Sequence, residues 1–374
     1  MKKIDLDIKQ FWKDDELAHE ENCFAKTAPQ VALGIRMSTE CVFAELGVKG
    51  HAWDVTPREQ LIEYNKRYND IAQKAVGKRL LPENYPLPDE IFPRVKMIGE
   101  VFGGRYEVIN HTTWLNSDIQ TADQLKKQLD FAEKVNLRDF VLPPNWESEK
   151  KRIFEKYGHK PKLFASIRGP ITLATSIYGT ENLIYLYYDD PELFERFGQV
   201  ILHVVMEYIT LMREEAGYTE DNAPHGFSFF DDHCSLMTPD MYKALGYPVL
   251  KAVFERVSPN EGDTRFQHSD SDMAHLLPLL SDFNLTGCNF GPSLTVREIR
   301  SHMPKTRIDG QLAPFTFMRN DTEQILAEVK RDCEMAKENN SRGLNLSTAG
   351  SINNGSLLES MRLVMAGIQE YGRY

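Results

Sequence analysis

Polar residues that end apolar runs carry most of the chemistry this sequence offers. In FFDDHCS, the acids Asp231 and Asp232 and the residues His233 and Cys234 follow a short apolar stretch. Successive residues of a strand point to opposite faces, so one carboxylate of the pair can face a central axis. Placed there it can act as a general base or contact a cation or metal. The same pair can instead be an N-cap acid and a solvated neighbour ahead of a helix beginning near Thr238. His268-Ser269-Asp270 has the next pattern worth weighing. His-x-Asp spacing on extended backbone puts both side chains on one face, where they can share a metal or the acid can orient the imidazole. A histidine satisfied within a turn is the competing reading.

Arg168 precedes Gly169-Pro170 and a helix start of small residues. The guanidinium and the first backbone N–H groups can receive a carboxylate or another anion, or the arginine can bridge strand ends. Further polar residues at strand ends are Arg36, Glu83, Asn289, Gln311, Ser347 and Thr348. Cys288 adjoins Asn289, so only one of the two faces inward. The candidate catalytic groups are Asp231, Asp232 and His268, and the candidate substrate contacts are Arg168, His233, Asn289, Gln311 and Glu83.

Repeated βα units must position these groups. Short apolar runs read as strands over 31–37, 78–85, 162–168, 226–232, 263–269, 285–291, 306–312 and 343–349. Helical periodicity separates the later ones, which signals a parallel sheet. Capping boxes are expected at Thr56…Glu59, Thr295…Glu298 and Ser356…Glu359, and Thr238-Pro239 is a further helix start. In the last helix Leu357, Leu358, Met361, Met365 and Ile368 recur at three and four residues and form one buried face. Eight parallel strands in 374 residues are most simply a single (β/α)8 TIM-like barrel domain, with a helical extension over 1–30 and an insertion of loops and helices over 86–161. In that fold the strand C-termini hold the site. No GxGxxG or GxxxxGK[ST] follows the first strand, which argues against a dinucleotide or P-loop fold.

A net charge of -11 opposes a broad nucleic-acid or anionic-membrane footprint. Five cysteines with no CxxC oppose a disulfide framework. The charged start MKKIDLDIKQFWKDDE and the lack of a long apolar run make a cytoplasmic protein, with no signal peptide or membrane span, the expectation.

The ordered segments GPITLATSIYGTENLIYLYYDDPELF, FFDDHCSLMTPDMY, FQHSDSDMAHLLPLL, DGQLAPFTF and GLNLSTAGSINNGSLLESMRLVMAGIQEYGRY resemble the uroporphyrinogen decarboxylase superfamily across roughly 160–374. That resemblance also implies a TIM-like barrel. True uroporphyrinogen decarboxylases carry an Arg-Gln-Ala-Gly-Arg element whose arginines bind a substrate with eight carboxylates. Here the nearest segment, GIRMSTECVF, has Arg36 alone, and the expected tyrosine falls on Ser176. The other branch resembles corrinoid-dependent methyltransferases, whose coenzyme M members hold zinc by His-x-Cys and a later Cys. His268 keeps the first position, Asp270 takes the second, and the third falls near Ser347 or Thr348.

The resemblance therefore implies a methyltransferase or demethylase that moves a methyl group between a small methoxylated or methylamine-like substrate and the cobalamin of a partner corrinoid protein. It implies a divalent metal, zinc first, on His268, Asp270 and Asp232. A porphyrinogen-type decarboxylase, with Asp231 or Asp232 stabilising a cationic pyrrole, is the alternative. A third reading is a non-catalytic barrel that binds a tetrapyrrole or docks a corrinoid protein.

Overall fold

The computed structural model describes residues 5–350 and 355–374, so part of the last motif, at 351–354, lies outside the described residues. Nine strands occur among them: β1 (Ala32–Leu33), β2 (Arg105–Ile109), β3 (Thr112–Asn116), β4 (Ser166–Arg168), β5 (Phe227–Phe230), β6 (Arg265–Ser269), β7 (Gly287–Phe290), β8 (Arg307–Leu312) and β9 (Leu344–Thr348). The chain forms two compact units, residues 5–85 with 266–374 and residues 86–265. The second begins where the insertion was expected and continues well past it.

In the first unit β1, β9, β8, β7 and β6 pair in that order, all parallel. The helix Ile8–Ala18 is capped by Asp7, buries Phe11 and sends Asp15 to accept from the backbone N–H of Leu33, which pins β1. β1 is shorter than its apolar run because pairing with β9 stops at Leu33. The run 78–85 is no strand. Pro82 has no N–H to offer a ladder, and Asn69 of the helix Arg58–Ala75 takes the N–H groups of Leu80 and Leu81 and the carbonyl of Leu81 instead. A preceding helix thus satisfies this backbone.

The expected box at Thr56 is also replaced. The helix starts at Arg58 after Pro57, and the Thr56 hydroxyl donates to the Asp54 carbonyl. Likewise the last helix, Leu358–Tyr371, has Leu357 at its N-cap, and its first donors go to Glu45 and Asn320. Its predicted face is present: Leu358, Met361, Met365 and Ile368 are buried. The Thr295…Glu298 box forms as expected.

In the second unit β4 and β5 are parallel, with Ile167 opposite Phe229. The helix Pro191–Glu215 buries a stripe through Leu193, Phe197, Val200, Ile201, Val204 and Tyr208. It packs on the helix Pro239–Val257, which Thr238 caps, and Gly198 allows close approach because a Cβ there would lie 3.2 Å from Leu245. Between 86 and 161 the expectation of loops and helices alone is corrected. β2 and β3 form an antiparallel hairpin, and Asn110 and His111 turn it with φ of 50° and 67°. Asparagine tolerates that left-handed region, but without Asn-Gly the usual two-residue turn signal was absent.

All five cysteines are free and buried. Among the described residues no helix is long and apolar enough to cross a membrane.

Candidate functional site

In the first unit the parallel register sets His268 of β6 opposite Asn289 of β7, so both side chains leave the sheet on the same side. The ladder between β7 and β8 ends at Cys288 and Ile308. The Asp309 carbonyl beyond it accepts from Asn289 Nδ2, which also donates to the Thr348 carbonyl at 3.1 Å. Asn289 Oδ1 accepts from the Gly350 N–H at 3.2 Å and lies 2.7 Å from His268 Nδ1. The two carbonyls fix which end of the amide is nitrogen. The oxygen therefore faces the imidazole, and His268 Nδ1 must carry the proton. In the neutral ring Nε2 then holds the lone pair that a metal or an acidic proton would need.

Asp270 follows on the same side and is exposed. His268 and Asp270 each offer a ligand atom within 4.8 Å of the other. Two glycines make room beside Asp270: a Cβ at Gly291 would meet its carbonyl oxygen at 2.4 Å, and one at Gly350 would lie 3.0 Å from its Cβ. One imidazole nitrogen and one carboxylate, flanked by glycine backbone, form an oxygen-and-nitrogen donor pair suited to zinc or a comparable divalent ion.

The other first-unit expectations are sorted by burial. Gln311 is wholly buried, and its Nε2 donates to the carbonyls of Gly291 and Leu294, so its amide joins β8 to the turn after β7. Asn289 is also spent inside the fold, as the positioner of His268. Glu83 stands on an irregular segment, and its Oε1 accepts from Asn69 and Arg79. Cys288 faces the core while Asn289 faces His268, and burial pushes its thiol up. The Thr348 hydroxyl donates to the Gly350 carbonyl, Ser347 is nearly buried and Arg36 is exposed.

Sequence reasoning overlooked the polar layer beneath. Arg307 grips Asp309 at 2.7 and 2.8 Å, and Asn345 donates to the same carboxylate at 2.8 Å. The signal was present as polar residues at every second position within apolar strands, R-x-D in β8 and an asparagine in β9.

In the second unit the Asp231 and Asp232 side chains part, as adjacent residues at a strand end should. Asp231 is wholly buried and serves the start of the helix Pro170–Tyr178: its Oδ1 accepts from the N–H and hydroxyl of Thr172 at 2.7 and 2.8 Å. The Ile171 N–H approaches Oδ2 at 3.4 Å. Gly169 is required there, because a Cβ would lie 2.1 Å from that of Asp231. Burial raises the Asp231 carboxyl to about 6, and the hydrogen bonds from the helix start offset only part of that. Asp231 thus caps the start of this helix, with its acceptor atoms engaged and no solvent in reach.

Asp232 is half-buried and opens the short 3-10 turn Asp232–Leu236. The His233 N–H donates to Thr172 Oγ1, and its Nδ1 lies 2.6 Å from Thr175 Oγ1. The Cys234 thiol donates to the Asp231 carbonyl. Arg168 ends β4 half-buried and donates to Ser176 Oγ at 3.3 Å, so its guanidinium stands over the position where the resemblance led one to expect a tyrosine. The partners Thr172 and Thr175 were missed. They were readable as a Thr-x-x-Thr face in the helix that follows Gly169-Pro170.

The protein-family model that matches is that of uroporphyrinogen decarboxylase (URO-D), over residues 147–371. No curated protein matches the chain. Among solved structures it resembles a methyltransferase from Methanosarcina mazei, at 16% identity, over 98% of this chain and 99% of that one, with a TM-score of 0.59. At that identity the likeness shows the fold alone, an α/β fold of parallel strands of the TIM-barrel type, as expected from the sequence. With its matched region covering more than half its length, the chain belongs to the uroporphyrinogen decarboxylase family.

Proposed function

We propose that this chain is a methyltransferase of that family, moving a methyl group between a small methoxylated or methylamine-like molecule and the cobalamin of a partner corrinoid protein. The observation that carries the reading is the His268–Asn289 pair. It holds the imidazole by Nδ1, beside the exposed carboxylate of Asp270, so that the neutral ring has its lone pair at Nε2. Two further facts support it. The amino-terminal segment that would carry the arginine clamp for an eight-carboxylate porphyrinogen has only Arg36, in a chain of net charge -11. The structural neighbour is described as a methyltransferase.

His268 and Asp270 would hold a divalent ion, zinc by donor preference, with Asp270 supplying the negative charge and the imidazole the directional bond. Such an ion, when bound, supplies Lewis acidity toward the oxygen or nitrogen that bears the methyl group, which makes the methyl carbon a better target for a cobalt(I) nucleophile. The chain's own residues hold the geometry: Asn289 fixes the imidazole, and Gly291 and Gly350 let the surrounding turns close on Asp270.

The test is metal analysis of the purified protein, together with transfer of methyl groups from a panel of methyl ethers and methylamines to cob(I)alamin, free and protein-bound. Metal bound by the wild type and lost in His268→Ala, with methylation of the cobalt, is expected. Protein that takes up no metal and methylates no corrinoid, or that instead removes carboxylate from uroporphyrinogen, overturns the proposal.

A further inference from the structure

We infer that Asn289 is a positioning residue, which selects the Nδ1–H tautomer of His268 and so decides that the imidazole offers Nε2 as its basic nitrogen. The inference rests on the reading of His268 as a ligand, but its geometry stands apart from any bound ion. Asn289 is reached by four partners on three other segments. Its amide nitrogen donates to Asp309 of β8 and Thr348 of β9, while its oxygen accepts from Gly350 and from His268. An asparagine with only one such contact could rotate by half a turn and present its NH2 group to the ring. That would force Nδ1 to be the acceptor and move the proton to Nε2. Here the flip would set NH2 against the Gly350 N–H and oppose the amide oxygen to two carbonyl oxygens, so three hydrogen bonds would be lost together.

The backbone makes this possible. The parallel β7–β8 ladder stops one residue short of Asn289, which leaves the Asp309 carbonyl to a side-chain donor. Asn289 is also largely buried, so water competes poorly for these groups. An isolated imidazole prefers the other tautomer, with its proton on Nε2. The work of Asn289 is therefore a reversal of the ring's own preference at the position where the donor atom must face outward.

The experiment uses full-length protein labelled with 15N-histidine, with the His268 signals identified by their loss in His268→Ala. In the metal-free wild type the imidazole 15N pattern should be that of the Nδ1–H form. In Asn289→Ala it should move to the Nε2–H form or a mixture, and zinc affinity measured by calorimetry should fall by about 10–100-fold. The 15N pattern reports the proton's place on the ring directly, and a purely structural role for Asn289 does not predict that it moves. A wild-type pattern of the Nε2–H form, or a pattern unchanged in Asn289→Ala, overturns the inference even if that variant is destabilised. Zinc bound by wild type and bound equally well by Asn289→Ala overturns it as well. The tautomer is read without metal or substrate, so a failed tautomer prediction and a failure of methyl transfer are separate results.

Discussion

Replacing Asp231 by asparagine separates the charge of this buried group from its shape. The asparagine oxygen can still accept from the N–H and hydroxyl of Thr172, so the start of the helix Pro170–Tyr178 keeps its two short contacts. What changes is titration. Two effects oppose each other at this carboxyl: burial disfavours the anion, and the helix start favours it. Burial wins, raising the value from 3.8 to about 6. The neutral form is thus favoured in the fold, and this contribution to stability is complete below the unfolded value and disappears as pH rises through the folded one. A gap of about two pKa units is worth about 3 kcal/mol in total, and roughly half of it is lost between pH 5 and pH 7. Urea unfolding of wild type and Asp231→Asn at pH 5, 6 and 7 should therefore show the difference between them shifting by about 1–1.5 kcal/mol in favour of the variant as pH rises. Parallel pH profiles for the two proteins would refute the assignment of a buried, proton-binding carboxyl at this position.

Gly169→Ala should destabilise by about 3 kcal/mol, at the upper end for overpacking, because its Cβ would collide with Asp231 at 2.1 Å; an unchanged denaturation midpoint would show that the approach is looser. Asn69→Ala should cost about 2–3 kcal/mol by leaving the backbone of Leu80 and Leu81 unsatisfied, and hydrogen exchange should rise first at those two amides. Glu215→Leu removes the buried carboxylate that receives Trp146 Nε1 at 2.6 Å, Lys150 at 2.5 Å and Arg138. It should lower stability by about 2 kcal/mol, measured as a fall in Tm, since the buried Trp146 N–H loses its acceptor while Arg138 and Lys150 keep only their contacts with Glu147.

Much of the fold was legible because parallel strands covered by helices read as apolar runs between amphipathic ones. The runs at 162–168, 226–232, 263–269, 285–291, 306–312 and 343–349 all contain strands. The run at 78–85 misled because local hydrophobicity says nothing about where backbone hydrogen bonds go. Asn69, on the helix that precedes the run, supplies the partners of Leu80 and Leu81 that a neighbouring strand would otherwise have given. The hairpin at 105–116 was hidden by mostly exposed strands with weak alternation.

At the candidate site, His268 and Asp270 were readable from their spacing. Which of two neighbouring acids is buried was not, since Asp231 and Asp232 differ only in the direction each side chain takes as the strand ends. Nor was the office of Asn289 visible: it depends on carbonyls from two strands that follow it by 20 and 59 residues.

The five buried thiols give this protein a set of internal gauges. Each can react with a disulfide reagent only when its surroundings part, and burial holds the Cys41, Cys288 and Cys333 thiols in their protonated, slow form until then. Cys234 sits in the second unit and Cys23, Cys41, Cys288 and Cys333 in the first. The order in which they become labelled would map the sequence of breathing motions in the native protein without any engineered probe.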